Sequence, residues 1–155
     1  GQFKQWGFSL GDLAANTAGA FMPVLSEHLP LMQKFKLKLS YHVSAEIEQE
    51  HYLIEDYAGM TFWLTSNPGD FMPESFKRIW PTFLNIAIGY GISKKAHGDV
   101  ELFLGLDYDL RTCRTTSMTL DRILAYMDYF HLPAPAMQTT PTREVHLFGY
   151  WIEKN

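Results

Sequence analysis

The sequence predicts an α+β domain in which an antiparallel sheet of about five strands packs with two helices. Strand-like patterns occur over residues 35–43, 57–66, 83–92, 100–110 and 144–152, and most of them alternate between two unlike faces. The two main helices are predicted at residues 10–21 and 117–130. With 155 residues, 46% of them hydrophobic, the chain is long and apolar enough to bury a core. A disordered chain is thereby excluded.

The first helix, residues 10–21, is indicated by a capping arrangement and an alanine-rich run. Ser9 and Asp12 have the Ser-x-x-acid spacing that begins helices, and LAANTAGAF follows. Its small side chains would let another backbone approach closely. We therefore expect this face to contact another chain, another copy, lipid or an upstream segment.

Two strands and a short helix follow. The stretch FKLKLSYHV sets Phe35, Leu37 and Leu39 on one face and lysines on the other, which predicts the strand 35–43. YAGMTFWLTS predicts the strand 57–66, and the turn signal Asn-Pro-Gly ends it. Residues 73–80 suit a short helix with proline in its first turn.

The central feature is a hairpin formed by the strands 83–92 and 100–110. Each strand has an aliphatic face and a face of glycines, small residues and charges. If Ile92 lies opposite Val100, the register follows along both strands. Asn85 then lies opposite Asp107 and can donate a hydrogen bond to its carboxylate. Gly89 lies opposite Phe103, so we expect the phenylalanine ring over the bare glycine backbone.

The remaining elements are a helix, an extended segment and a strand. Leu120, Ile123 and Met127 lie at helical spacing within residues 117–130. Two prolines predict that residues 132–135 are extended. The last strand, 144–152, is apolar on both faces, which predicts that it is covered on both sides.

Two architectures accommodate the alternation. In the first, the helices 10–21 and 117–130 cover the aliphatic face of a curved sheet. In the second, the sheet is a fragment of an outer-membrane-type β-barrel whose aliphatic face meets lipid. About five strands are fewer than the eight of small outer-membrane barrels, and a barrel would not need two helices. The sequence therefore favours the first architecture.

Charge and motif content narrow the function classes. The formal net charge is −4 and no long Lys/Arg run occurs, which argues against a nucleic-acid partner. The single cysteine, Cys113, cannot form an internal disulfide. The six histidines show no metal-binding spacing, and no phosphate or dinucleotide fingerprint is present. We therefore predict no metal and no cofactor.

The one polar group that suggests chemistry lies on the second strand of the hairpin. Glu101, Asp107, Asp109 and Arg111 share a face, and Asp107 and Asp109 are separated by about 6 to 7 Å along a strand. Paired carboxylates can act as general acid and base if burial separates their pKa values. Asn85, Glu101 and Arg111 are also candidate ligand-binding residues. A solvated face, on which an arginine pairs with an aspartate, explains the same residues without catalysis.

Several separate segments in order carry a family resemblance. GFSLGDLAANTAGA, LKLSYH, DYAGMTFWLTSNP, FLNIAIGYG, LFLGLDYDL and LPAPAM together resemble the YfiM-like family of predicted periplasmic lipoproteins, best populated in Bacteroidetes. That family has no established activity. The resemblance implies a location in the bacterial cell envelope, periplasmic or associated with the outer membrane.

A second resemblance is confined to residues 7–20. The pattern Asp12-x-x-Ala15-Asn16-Thr17-x-Gly19-Ala20 is similar to the closing motif of VanZ-like membrane proteins, whose earlier motifs are not found here. This resemblance would place Asp12 and Asn16 in a polar cluster, as candidate ligand-binding residues one helical turn apart. Alternatively, Asp12 caps the helix and Asn16 makes a structural hydrogen bond.

These observations lead to one expected function and two alternatives. We expect a noncatalytic envelope protein, an accessory or scaffold module whose partners are envelope or membrane proteins or lipid. The alternatives are a module that binds lipid or another apolar ligand, and an enzyme acting on a lipid-linked or cell-wall substrate. We further expect residues 1–155 to form one domain, the C-terminal part of a longer envelope protein.

Overall fold

The computed structural model describes residues 17, 19–21, 24–42, 59–92 and 99–148. The chain divides into two compact units, Gly1–Phe35 and Lys36–Asn155. In the first unit, residues 24–28 are helical, and the amide of Leu29 donates to the carbonyl of Leu25 over 2.8 Å. A 3-10 turn, Met32–Lys34, follows. Residues 17 and 19–21 of the predicted helix 10–21 are helical, and the rest of that helix lies outside the described residues.

The second unit contains an open antiparallel sheet of six strands that follow one another in chain order. Two short α-helices lie among the described residues of this unit, which confirms the predicted α+β class. The strands are β1 (Phe35–Tyr41), β2 (Met60–Ser66), β3 (Leu84–Ile92), β4 (Val100–Tyr108), β5 (Ala136–Thr140) and β6 (Glu144–His146), and the helices are α1 (Glu74–Lys77) and α2 (Met118–Met127).

The strand count is the main correction to the predicted sheet. The sequence does not predict β5, because its five residues, AMQTT, are too few and too mixed to show alternation. The two prolines before it predict only that residues 132–135 are extended. β5 forms because it pairs with β4 on one side and β6 on the other. β6 has three strand residues, and residues 149–152 of the predicted last strand lie outside the described part. Val145 is 65% exposed, so the prediction that this strand is covered on both sides is wrong.

The predicted register of the β3–β4 hairpin is confirmed. Ile92 pairs with Val100, Gly89 with Phe103 and Asn85 with Asp107. The side-chain amide of Asn85 donates to Oδ2 of Asp107 over 3.1 Å, as expected. The ring over Gly89, however, is Trp63 of β2, because a Cβ at Gly89 would lie 2.7 Å from Cζ3 of that indole. Gly89 pairs with Trp63 on its other side, and sequence alternation within the hairpin contains no information about that neighbour.

The sheet is curved. In a flat sheet, three strand spacings of about 4.8 Å would place the backbones of β1 and β4 about 14 Å apart. A lysine side chain cannot span that gap, yet Nζ of Lys38 in β1 lies 2.8 Å from the carbonyl oxygen of Tyr108 in β4. β1 and β4 therefore approach each other across the inner face of the sheet.

The segment 129–135 lies along this inner face. The amide of Leu39 donates to the carbonyl of Tyr129, and the amide of His131 donates back to the carbonyl of Leu39. Further on, the amide of Leu106 donates to the carbonyl of Pro135 over 2.9 Å. One short segment is therefore hydrogen-bonded to both β1 and β4. It holds the curvature and excludes water from the side chains beneath it.

The sheet is polar inside and aliphatic outside. The inner face buries Lys38, Thr61, Thr65, Asn85, Glu101, Asp107 and Gln138 together with Trp63, Ala87 and Phe103. The outer face, defined here by Phe62, Leu64, Ile86, Ile88, Leu102 and Leu104 of β2, β3 and β4, is exposed. The exposure of these side chains contradicts the prediction that the helix 117–130 covers the aliphatic face, and most of the predicted helix 10–21 lies outside the described residues. The sheet curves toward its polar side, so helix α2 and the segment 129–135 attach there.

Helix α2 begins at a side-chain cap. Oγ of Ser117 accepts from the amide of Leu120, and the carboxylate of Asp121 accepts from the amide and hydroxyl of Thr115. These bonds lower the pKa of Asp121. No residue of α2 is fully buried. Across residues 17–42, 59–92 and 99–148, apart from the undescribed positions among them, no helix has the length and hydropathy needed to span a bilayer.

Candidate functional site

Six charged side chains meet where β1, β4 and the end of α2 come together. This ionic cluster consists of Lys36, Lys38, Asp107, Asp109, Arg111 and Asp128. The alternation of β1 places both lysines on its inner face, and that of β4 does the same for Asp107. A 3-10 turn, Leu110–Thr112, follows β4 and carries Arg111 back over the cluster. Three cations and three anions therefore balance one another.

Asp128 is the centre of the cluster. It follows the last turn of α2, and its Oδ1 accepts from Nζ of Lys38 over 2.8 Å and from the amide of Leu110 over 2.9 Å. Its Oδ2 lies 3.3 Å from Nζ of Lys36 and 3.0 Å from Nε of Arg111. Burial opposes ionisation of Asp128, but the hydrogen bond and charge of Lys38, the charge of Lys36 and the Leu110 amide together lower its pKa. Asp128 thus joins the helix to both strands as an anion.

Lys38 and Asp107 form the buried half of the cluster. Nζ of Lys38 lies 2.9 Å from Oδ2 of Asp107, and neither side chain is exposed. Lys38 also donates to the carbonyl of Tyr108, so its three protons have three acceptors: Asp107, Asp128 and that carbonyl. A buried charge is tolerated where it is paired and hydrogen-bonded in this way.

Two aromatic side chains pack beside the ionic cluster. The ring of His131 stacks on the indole of Trp63 with centroids 3.9 Å apart and planes 9° apart. The Trp63 ring also lies near Phe103, at a centroid distance of 5.7 Å, and its Nε1 donates to Oγ of Ser40 over 2.8 Å. Burial lowers the pKa of His131 to about 4, against a weaker opposing effect of Asp107. The ring is therefore neutral near pH 7, and Nε2 donates to the carbonyl of Leu106 over 3.0 Å.

The structure gathers most of the predicted site residues. Asn85, Asp107, Asp109 and Arg111 all lie in or beside the ionic cluster. Glu101 is buried on the same face, but six residues separate it from Asp107 along β4, a distance of about 20 Å. It therefore lies at the other end of the sheet, opposite Gly91. Asp12 and Asn16 lie outside the described residues.

The solvated-face interpretation of these residues is wrong for β4, because Asp107 and Glu101 are buried. The predicted pairing of an arginine with an aspartate is confirmed. Nε of Arg111 lies 3.0 Å from Oδ2 of Asp128 and 3.8 Å from Oδ1 of Asp109. Asp109 is also paired with Lys36. Each of the two candidate catalytic carboxylates is thus already bound by a lysine.

The site contains four residues that the sequence did not predict as site residues: Lys36, Lys38, Asp128 and His131. Lys38 could have been found, since β1 alternation places it opposite the aliphatic face of a sheet whose other polar residues are acidic. No local pattern in the sequence marks Asp128 or His131 as a residue of the site. They come from a helix end and a connecting segment, about 90 residues from β1, and no spacing relates them to the sheet.

The outer aliphatic face lies directly behind this site. Exposure reaches 53% for Phe62, 56% for Ile88 and 47% for Leu104, the outward neighbours of the buried Trp63, Ala87 and Phe103. Leu64 pairs with Ile88, and Ile88 with Leu104, so the exposed side chains form a continuous surface across three strands.

No set of three or more His, Cys, Asp or Glu side chains placed to hold a metal ion occurs in the described ranges up to residue 148. Cys113 is exposed and carries a free thiol. Searches for a matching family model, a similar curated protein and a similar solved structure found no match to this chain.

Proposed function

We propose that this chain is a noncatalytic module of the bacterial cell envelope, an accessory or scaffold component that works at a membrane. The outer aliphatic face is the observation that carries the proposal. The resemblance to YfiM-like lipoproteins supports the location.

The burial of the two faces of this sheet is the reverse of that in most soluble antiparallel sheets. Soluble antiparallel sheets usually bury an apolar face and expose a polar one. Here the ion pairs and amides are buried, and the aliphatic side chains of three neighbouring strands are exposed. Contiguous exposed apolar patches mark sites where a protein or membrane is contacted. A hydrophobic partner that covers this face accounts for the arrangement.

The ionic cluster suits a structural role. Lys38 is paired with both Asp107 and Asp128, and the side chains of Lys38 and Asp107 are fully buried. A general acid or base must come within hydrogen-bond reach of its substrate. Arg111, with 53% of its side chain exposed, is the most accessible member of the cluster, and arginine stays protonated. We therefore assign the cluster to holding the curvature of the sheet.

The two alternative functions gain no support from the described residues. A ligand held between the sheet and its helix would meet the inner face, which is polar and filled by Trp63 and Phe103. An enzyme using Asp107 and Asp109 would first have to separate both carboxylates from lysines.

Fractionation of cells tests the proposal. The chain, expressed with an export signal in a Gram-negative bacterium, should sediment with the envelope membranes, resist a high-salt wash and be released by detergent. The double variant Ile88→Ser/Leu104→Ser should appear in the soluble fraction several-fold more than the parent. Lys77→Ser, which removes an exposed ion pair with Glu74 in helix α1, should fractionate like the parent. Recovery of the parent chain in the soluble fraction without detergent would contradict the proposal.

A further inference from the structure

We propose that the outer aliphatic face contacts the acyl chains of a phospholipid bilayer directly. This inference rests on the proposed function and identifies the hydrophobic partner of the outer aliphatic face as lipid. The face extends over β2, β3 and β4, and the three strands are joined by continuous pairing.

The outward positions of these strands carry no charged side chains, which is what contact with hydrocarbon requires. The outward residues of these three strands are Met60, Phe62, Leu64, Ser66, Leu84, Ile86, Ile88, Tyr90, Ile92, Val100, Leu102, Leu104, Leu106 and Tyr108, and none is charged. The acidic residues of β4, Glu101 and Asp107, both point inward. A typical protein interface carries about one hydrogen bond per 100–200 Å² and a polar rim. The middle of this face has no side chain that can supply such bonds, whereas lipid tails require none.

The curvature of the sheet also favours lipid over a second copy. β1 and β4 approach each other on the inner side through Lys38 and Asp107, so the outer face is convex. Two convex surfaces touch only along a strip, which would leave the flanking strands exposed. Acyl chains are fluid and conform to a convex surface. Hydrocarbon can therefore cover Phe62, Ile88 and Leu104 together.

The sheet edges determine how the face is oriented. Unpaired backbone groups are not tolerated in hydrocarbon, so an open edge must stay outside it. On the β1 side, Leu39 is hydrogen-bonded to Tyr129 and His131. On the other side, β6 is short and carries Glu144, whose side chain is 54% exposed. We therefore place β3 and β4 within the acyl layer and the β6 edge at the level of the head groups.

Spin-label accessibility tests this placement. The background is Cys113→Ser, which removes the exposed thiol. Single cysteines at Ile88 and Leu104 report on the outer face. A cysteine at Thr142 reports on the turn before β6, and one at Lys77 reports on the exposed helix α1. Each labelled protein is reconstituted from detergent into vesicles of phosphatidylethanolamine and phosphatidylglycerol. Collision rates are then measured with oxygen, which concentrates in hydrocarbon, and with a nickel chelate, which stays in water.

We expect the collision rate with oxygen to exceed that with the nickel chelate several-fold at Ile88 and Leu104. At Lys77 the nickel chelate should give the higher rate. Thr142 should have a ratio of the two rates between these extremes. Nickel accessibility at Ile88 and Leu104 in vesicle-bound protein would overturn the inference and leave the proposed function standing. Low accessibility to both reagents, with dipolar broadening between labels, would replace lipid by a second copy. Failure of the parent chain to bind vesicles would overturn both proposals. Circular dichroism identifies any labelled variant that does not fold, and Ile86 and Leu102 then serve as substitute sites on the same face.

Discussion

Nζ of Lys38 and Oδ2 of Asp107 lie 2.9 Å apart, although two strands separate β1 from β4 in the sheet. This ion pair crosses the inner face and links it to the end of α2 through Asp128. It is therefore a long-range contact that holds a curved sheet, and its removal should affect the whole unit.

Replacing Lys38 by Met should lower the free energy of unfolding by about 3 to 5 kcal/mol, because Asp107 and Asp128 lose their buried cation. Urea denaturation followed by circular dichroism measures the change. The control is Lys77→Met, which removes a lysine that is paired with Glu74 at the surface, and it should leave the midpoint almost unchanged. Equal effects of the two substitutions would show that the buried pair does not hold the sheet.

Replacing Gly89 by Val should destabilise the second unit by about 1 to 3 kcal/mol through overpacking. The reason is the indole of Trp63, three of whose ring atoms would lie within 3.0 Å of the new Cβ. Gly19→Ala is the matched control, because its Cβ would meet no atom within 4 Å. Thermal melts compare the two variants. If Trp63→Leu does not relieve the loss caused by Gly89→Val, the indole is not the obstructing group.

The free energy of unfolding should fall as the pH falls from about 6.5 to about 4. His131 has its pKa lowered by burial to about 4, so in this interval the unfolded chain binds a proton that the folded chain excludes. The loss attributable to His131 reaches up to about 3 kcal/mol. Asp128, whose pKa is also lowered in the folded state, adds a loss of the same sign at lower pH.

Chemical denaturation at pH 7, 5 and 4 measures this dependence. His131→Phe keeps a ring against Trp63 and removes the titrating group, so its stability should vary less between pH 6.5 and pH 4. Lys38 and Asp107, whose charges act on the ring, remain in the variant, which isolates the contribution of the histidine. An unchanged pH profile in His131→Phe would assign the acid sensitivity to the carboxylates alone.

Two adjacent residues of β4 should differ strongly in how much stability their truncation costs. Phe103 is 1% exposed, and Phe103→Ala should cost about 3 to 5 kcal/mol through the cavity it leaves. Leu104 is 47% exposed, and Leu104→Ala should change the unfolding midpoint in detergent far less. Comparable losses would mean that the aliphatic face is part of a packed core.

The elements that the sequence predicted well are those specified by neighbours along the chain. Alternation in β3 and β4 assigns each side chain to a face, and the pairing of Asn85 with Asp107 followed from the hairpin register alone. β5 has a short, mixed sequence, so its identity as a strand depends on partners in β4 and β6. Half of the candidate site was predictable for the same reason: Asp107 belongs to an alternating strand, whereas Asp128 and His131 come from a helix end and a connecting segment.

The amino-acid sequence by itself determined which residues share a face, because the period of a strand is a property of the backbone. It did not determine which face would be buried, since an aliphatic face and a polar face can each be covered by distant parts of the chain. The tertiary structure decided that question. Lys38 reaches across the inner face to Asp107 and Asp128, and the segment 129–135 bonds to β1 and β4 above them. Because these contacts close over the polar side, the aliphatic side chains are left facing outward.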